Sequence, residues 1–281
     1  ESEGKGLMAQ TPATSRAALA QPSPLRVTWD VVKYLVFMSI LGIVIVKGTS
    51  TLGYNWQWYR VARYILVETE SGLVAGPLLK GLLVTFRITG ISLVLAFAIG
   101  LVTVLMRLSS SVSARALARA YMELIRNTPL LIQLFFLYFV ISPIVGMNAF
   151  FSAVIALSLF EGAYISEIFR SGIESIPPGQ WEAGLSSGLT KFESYRFVIL
   201  PQAVRAILPP LTGQAISLIK DSALVSTIAI YDLTMQGQAI VAETFLVFEI
   251  WLSVAAIYLV ITMSLSALVH ELEKKFKRYS H

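Results

Sequence analysis

Long apolar runs separated by short charged segments set the pattern of this chain. The first run covers residues 27–46, and five more follow at 78–108, 121–141, 149–169, 208–230 and 245–269. Each comes near the ~20 apolar residues that an α-helix needs to cross a hydrocarbon layer. Lipid offers backbone polar groups no partner, so a spanning segment must satisfy its own, as a helix does. The pattern therefore predicts an all-α integral membrane protein with six transmembrane helices. The runs are not equally clean. Lys80 and Arg87 lie early in the second, leaving 88–106 as its apolar part, and Lys220 and Asp221 interrupt the fifth. Asp30 and Lys33 stand at one end of the first, where long side chains reach the interface. No small-residue cleavage motif follows Val46, so this run reads as a span rather than a secretory signal.

Charge sorts the connections into two sides. Lys5, Arg16, Arg26 and Lys33 precede or open the first span, and Arg107, Arg115, Arg119 and Arg126 surround the second-to-third connection. Arg170, Lys191, Arg196 and Arg205 flank the next polar loop, and Lys274, Lys275, Lys277 and Arg278 follow the last span. Residues 142–148 and 231–244 hold no Lys or Arg. The positive-inside rule then places both termini in the cytoplasm. Only 47–76, with Lys47, Arg60 and Arg63, runs mildly against it. That outer segment contains YNWQWYRVARYILV at 54–67, whose Tyr and Trp suit a membrane interface. It predicts an interfacial helix; a part in receiving an external binding protein is the sharper alternative.

The resulting plan is a flexible cytoplasmic tail at 1–26, rich in Ser, Ala, Pro and Gly, and an N-terminal span at 27–47. A periplasmic interfacial segment follows at 48–76, then a membrane core at 77–270 and a basic cytoplasmic tail at 271–281. A mean hydropathy of +0.70 leaves little room for a soluble domain. The absence of cysteine excludes disulfides and thiolate chemistry, and both histidines, His270 and His281, fall near the C-terminus, outside the spans. The net charge of +5 is accounted for by topology, so no nucleic-acid partner is expected.

The most specific motif lies in the polar loop at 177–201. Pro177 and Pro178 cannot continue the preceding helix, and Gly179 lets the chain turn. QWEAGLSS then predicts a short helix lying across the spans, with Glu182 early in it and Gly188 at its exit. Small residues at Ala183 and Gly184 would let a partner's backbone approach. The stretch EAGLSSGLTKFESYRFVILP resembles the E-A-A-x3-G-x9-I-x-L-P loop of the membrane subunits of bacterial ABC importers. Glu182, Ala183, Gly188, Leu200 and Pro201 match; Val198 stands for Ile, and Gly184 replaces the third Ala. The sequence ELIRNTPL at 123–130, with GAYISEIFRSGIESIPPGQ at 162–180 and LIKDSALVS at 218–226, is similar to the polar amino acid permeases within that family.

The resemblance implies a five-helix core with one added N-terminal helix, in the bacterial inner membrane. It implies that 182–201 couples to a separate ATPase dimer, which would bind ATP and Mg; this chain would carry no cofactor. It further implies a second permease subunit (a copy or a homologue), a periplasmic or tethered amino-acid-binding protein, and a polar amino acid as substrate. The chain has no G-x-x-x-x-G-K-[ST] phosphate loop of its own, consistent with a borrowed ATPase. A stand-alone ion-coupled transporter is the alternative, with Glu161 and Asp221 on the ion, although no internal repeat supports it. An intramembrane enzyme finds no Cys, in-span His or Asp-rich motif to work with.

Ionisable groups at membrane depth are costly and face a cavity or a partner. Glu161 lies near mid-span beside Gly162 and three residues before Tyr164, and it is the carboxylate nearest a central path. Its candidate partners are a substrate ammonium, Lys220 or a neighbouring Arg. Gln214 shares a helical face with Ser217 and Leu218, whereas the adjacent Lys220 and Asp221 point apart. These groups either line a substrate path or pair with neighbouring helices. Asn127 and Thr128 precede Pro129, which frees a backbone carbonyl that such side chains can satisfy. They read as a helix start or hinge first, and as substrate contacts second.

Overall fold

The structure is a computed structural model that describes residues 24–278, apart from 52 and 71. The tail expected at 1–26 lies outside the described residues except for its last three, and so do 279–281 of the basic tail. The chain divides into two units, Glu1–Trp56 and Gln57–His281. The first holds α1 (Pro24–Thr51), most of which, Val27–Gly48, is long and apolar enough to cross a membrane. Near its start Lys33 lies 3.4 Å from Asp30 and 5.8 Å from the Trp29 ring.

The second unit opens with a 3-10 turn (Trp58–Arg60) and the single turn α2 (Ala62–Ile65). Strands β1 (Leu66–Thr69) and β2 (Gly72–Ala75) follow as an antiparallel hairpin, with Leu66 opposite Ala75 and Thr69 opposite Gly72. The continuous interfacial helix expected over 54–67 is therefore not formed. Gly72, at φ +114, supplies the turn, and Thr69 locks it by donating its hydroxyl to the Gly72 carbonyl at 2.8 Å.

The helical body begins with α3 (Pro77–Leu108) and α4 (Val112–Arg126), the latter capped by Ser111. The chain then passes through α5 (Leu130–Phe135), a π-helical segment (Phe136–Ile141) and α6 (Ser142–Val145). Helix α7 (Ala149–Glu174) starts at the Asn148 cap and leads to the short α8 (Pro178–Ser186). Next come α9 (Lys191–Glu193), a second π segment (Ser194–Ile199) and α10 (Leu200–Asp221). A 3-10 segment (Ser222–Ile228), α11 (Leu233–Thr244) and α12 (Val247–Arg278) complete the described chain.

Among the described residues four helical stretches are long and apolar enough to cross a membrane: Val27–Gly48, Pro77–Leu108, Ala149–Glu174 and Val247–Glu271. Val112–Arg126 with Leu130–Val145 makes a fifth if this pair, bent by 106°, is one span. The protein is thus a multi-pass helical membrane protein, with two of the expected runs built differently. The run at 121–141 is broken at Asn127–Pro129. That at 208–230 is not one helix: α10 starts earlier, at Leu200, and gives way to the tighter 3-10 segment after Asp221. Gln214, Lys220 and Asp221 also make α10 more polar than the other long helices.

Packing centres on α3 and α7. Ser92, Ala96 and Gly100 recur every four residues on the buried face of α3, and Ser158, Gly162 and Ser166 do the same on α7. Small residues let membrane helices approach until dispersion and backbone contacts hold them. A Cβ on Gly100 would stand 2.7 Å from Ile165 Cγ2, and one on Gly162 would stand 2.8 Å from Ile99 Cγ2. Each glycine thus receives an isoleucine from the opposite helix. Ser158 Oγ donates to the Val154 carbonyl at 2.5 Å, and Tyr121 Oη of α4 donates to the Leu159 carbonyl at 2.6 Å. The same α3 stripe serves α11 at its other end, where a Cβ on Gly81 would meet the Asp232 carbonyl at 2.6 Å.

Replacing Gly162 with Leu overfills this contact, a change that costs about 1–3 kcal/mol or more in packed interiors. The expected outcome is a lower melting temperature of the purified protein by fluorescence-detected size exclusion. Gly213→Ala, at a helical position with open space around it, leaves the melting temperature unchanged.

Candidate functional site

The loop between α7 and α10 folds as its residues dictate. Pro177 is the N-cap of α8 and Pro178 occupies its first turn, where a missing N–H costs nothing. At the other end Gly188 adopts φ +83, a left-handed conformation that suits glycine. Its N–H donates to the Leu185 carbonyl at 3.0 Å and Leu189 N–H to Gly184 at 3.2 Å, which closes the helix with a Schellman motif. Two residues later Thr190 and Glu193 form a capping box for α9, with Thr190 N–H donating to Glu193 Oε2 at 2.8 Å. The two bonds from Thr190 hold the Glu193 carboxyl below the usual carboxylate range.

Helix α8 lies against the second π segment and the start of α10 by three contacts. Gly184 is buried, and a Cβ there would stand 2.8 Å from Ser194 Oγ. The Trp181 and Tyr195 rings are 6.0 Å apart, and Gln202 Nε2 donates to Gln180 Oε1 at 3.0 Å. The small residue at 184, expected to admit a partner chain, thus admits Ser194 of this chain. The free face consists of Glu182, Ala183 and Leu185, all exposed. Glu182 has no hydrogen bond or ion pair among the described residues. It lies beyond the first turn of α8, so the helix dipole contributes less to it than expected. Leu200 and Pro201 form the opening turn of α10, where proline is tolerated.

Among the in-span candidates the structure brings together Glu161 and Gln214. Glu161 is 0 % exposed and accepts from Gln214 Nε2 at 2.6 Å through Oε2. Its other oxygen, Oε1, has no partner among the described residues. The partner is a neutral amide on α10, neither Lys220 nor an arginine. Lys220 is exposed, while Ser217 and Asp221 are half-buried on the same helix. The Tyr164 ring is tilted against that of Phe160, centroids 5.0 Å apart, and lies under the Arg126 guanidinium at 5.7 Å.

Asn127 and Thr128 lie at the α4–α5 corner and behave as caps. Asn127 Nδ2 donates to the Glu123 carbonyl and Thr128 Oγ1 to that of Leu124, both at 2.8 Å. Gln133 completes the corner, its amide donating to the Ile125 and Thr128 carbonyls at 2.8 and 3.0 Å. Gln133 escaped the sequence reading, although a glutamine one turn after a proline break is a natural partner for freed carbonyls. The ion pair between Arg107 and Glu167, at 2.7 Å, also escaped it, because the two are far apart in sequence. No group of carboxylate, His or Cys side chains among the described residues could hold a metal ion.

The fold is a multi-pass helical membrane protein with a short helix, α8, in the loop between α7 and α10. The chain belongs to the family of binding-protein-dependent transport system inner membrane components, whose model matches residues 96–278. It is 39% identical over 203 residues to the glutamine transport system permease protein GlnP of Escherichia coli strain K12, covering 71% of this chain and 93% of that one. With the L-cystine transport system permease protein TcyB of Bacillus subtilis strain 168 it shares 40% identity over 206 residues, 72% and 88% of the two chains. Among solved structures, an amino acid ABC transporter crystallised with histidines matches 79% of this chain and all of its own, at 36% identity and a TM-score of 0.71. The MetNI methionine ABC transporter, at 22% identity and a TM-score of 0.56, shares the fold. The protein is therefore a permease subunit of the bacterial inner membrane, and not itself the ATP-hydrolysing enzyme.

Gly188→Ala forces a side chain into the left-handed conformation, at a cost of about 1–2 kcal/mol. Limited proteolysis should then cut faster between α8 and α9. Gly179→Ala, with open space at its Cβ, leaves the cleavage rate as it was.

Proposed function

We propose that this chain is the translocation subunit of an ATP-driven importer of a polar amino acid, and that α8 is where a separate ATPase subunit docks. The observation that carries the reading is the division of α8 into a held face and a free face. Gly184 and Trp181 tie it to Ser194 and Tyr195, leaving Glu182, Ala183 and Leu185 outward. A groove on a partner would accept Leu185 and the small Ala183, with a basic group opposite Glu182. The substrate class is supported by the relatives named for glutamine and L-cystine and by the solved amino acid transporter.

The finer assembly follows from the same reading. Two permease subunits, as copies or homologues, pair with two ATPase subunits and receive substrate from a periplasmic or tethered binding protein. On this reading the bent α4–α6 segment and α10 count as one crossing each, for six in all, with both termini and α8 in the cytoplasm. The core at 77–270 performs translocation, with 27–47 an addition to it. Glu161 and Gln214 are the polar pair we place nearest the substrate path. Because Glu161 is fully enclosed, substrate reaches it only when α7 and α10 move relative to one another.

Two substitutions test these assignments. Glu182→Lys reverses the charge on the free face of α8, and import should fall about ten-fold or more, equivalent to some 1.4 kcal/mol at the contact. The protein should still reach the membrane; normal import with a full complement of co-purified ATPase would refute the docking face. Glu161→Gln keeps an acceptor for Gln214 but removes the charge. Maximal import of a cationic or zwitterionic amino acid should drop, or selectivity shift, at unchanged melting temperature. Unaltered import of every amino acid tested would remove Glu161 from the path.

A further inference from the structure

Where α3 and α7 run out of apolar residues, five arginines gather around one cavity of about 260 Å³. Arg107 closes α3, Arg115, Arg119 and Arg126 lie along α4, and Arg170 lies near the end of α7. Glu167 answers three of them: it accepts from Arg107 at 2.7 Å, stands 3.9 Å from Arg126 and pairs with Arg170, which also holds Glu174. Glu123 accepts the Asn127 amide at 2.8 Å. Five arginines against Glu123, Glu167 and Glu174 leave an excess of two positive charges. Arg115 gives one nitrogen to the Ser109 carbonyl at 2.8 Å, and Arg119, exposed, has no partner among the described residues.

An apolar strip leads to the same place. Leu101, Leu105 and Leu108 recur on one face of α3 and are all exposed, and Leu108 lines the cavity. The arginines of α4 share one face, while Leu117 and Leu124, seven residues apart, stand exposed on another. This is the makeup of a helix lying at a membrane surface. On the proposed topology the cavity falls at the level where hydrocarbon ends and headgroups begin.

We propose that this cavity holds the phosphate of an anionic phospholipid headgroup, whose acyl chains run along the leucines of α3. Guanidinium forks match phosphate oxygens by paired, charge-assisted hydrogen bonds. Basic clefts between membrane helices favour anionic headgroups for the same reason. A soluble phosphate offers the same oxygens, but it leaves the leucine strip uncovered. The site depends neither on the identity of the transported substrate nor on the docking face of α8.

The test is native mass spectrometry of the permease–ATPase complex released from nanodiscs of equal parts phosphatidylglycerol and phosphatidylcholine. Wild type should retain phosphatidylglycerol in preference. Arg119→Gln, which breaks no ion pair, should reduce that preference about five-fold, and Arg119→Lys, which keeps the charge but loses the fork, should fall between wild type and Arg119→Gln. Arg205→Gln, which removes a charge elsewhere, should leave it intact. If Arg119→Gln does not assemble, Arg115→Gln is scored in its place. No preference in wild type, or equal retention by the arginine variant, overturns the proposal. So does release of the lipid by excess inorganic phosphate, which would assign the cavity to a soluble anion. Retention seen only in permease stripped of its ATPase also overturns it, because the arginines would then belong to that interface.

Discussion

The close approach of α3 and α7 is the constraint on which the rest of this structure depends. In lipid the apolar effect does not drive helices together, so their contact rests on shape. Here the shape comes from two facing rows of small residues, Ser92-Ala96-Gly100 and Ser158-Gly162-Ser166, into which Ile165 and Ile99 insert. Several polar features are placed by that contact. Glu161 is fully buried beside Gly162, in the same stretch of α7. Glu167 is brought within reach of Arg107 because α3 and α7 stay together to their common end. Further along α3 in the other direction, Gly81 and Thr85 admit the start of α11, with Leu233 N–H donating to Thr85 Oγ1 at 3.2 Å.

Much of this was legible in the sequence, for reasons that differ by residue. The prolines at 177 and 178 and the glycine at 188 act through local backbone geometry, so the limits of α8 could be placed from the chain alone. Pro129 likewise marked a break, although not a turn of 106°. Hydropathy found the long helices but misjudged α10, whose polar positions serve tertiary partners: Gln202 meets Gln180, and Gln214 meets Glu161. Such pairs join distant segments and leave no local signature. The hairpin at 66–75 was hidden by its aromatic, basic surroundings, which suit an interfacial helix equally well. The two rows of small residues were visible in principle as a four-residue period, but a period of small side chains carries little hydropathy contrast.

The site candidates divide along the same line. Gly184 was read as a small residue that admits a partner chain, yet its neighbour is Ser194 of the same chain, a contact only the fold reveals. Asn127 and Thr128 satisfy the last carbonyls of α4 and so behave as architecture. Glu161 keeps one oxygen without a partner among the described residues, a costly arrangement at membrane depth.

The strapping of α8 to α10 makes the loop an asymmetric mechanical linkage. On the α10 side the exit is stiff: a Schellman closure ending at Leu189, a capping box starting at Thr190 and the Gln180–Gln202 bond fix the path from α8 into α9. On the α7 side the chain crosses Ser175 and Ile176, joined to α7 by turn bonds at 2.9 and 3.3 Å, before Pro177. Under the docking proposed above, a push on Glu182 would pass through α8 into α10, with the α7 end as the pivot. On the same proposal, the in-span polar contact that such a movement would strain is the Gln214–Glu161 bond, tying a displacement at the loop to a buried carboxylate.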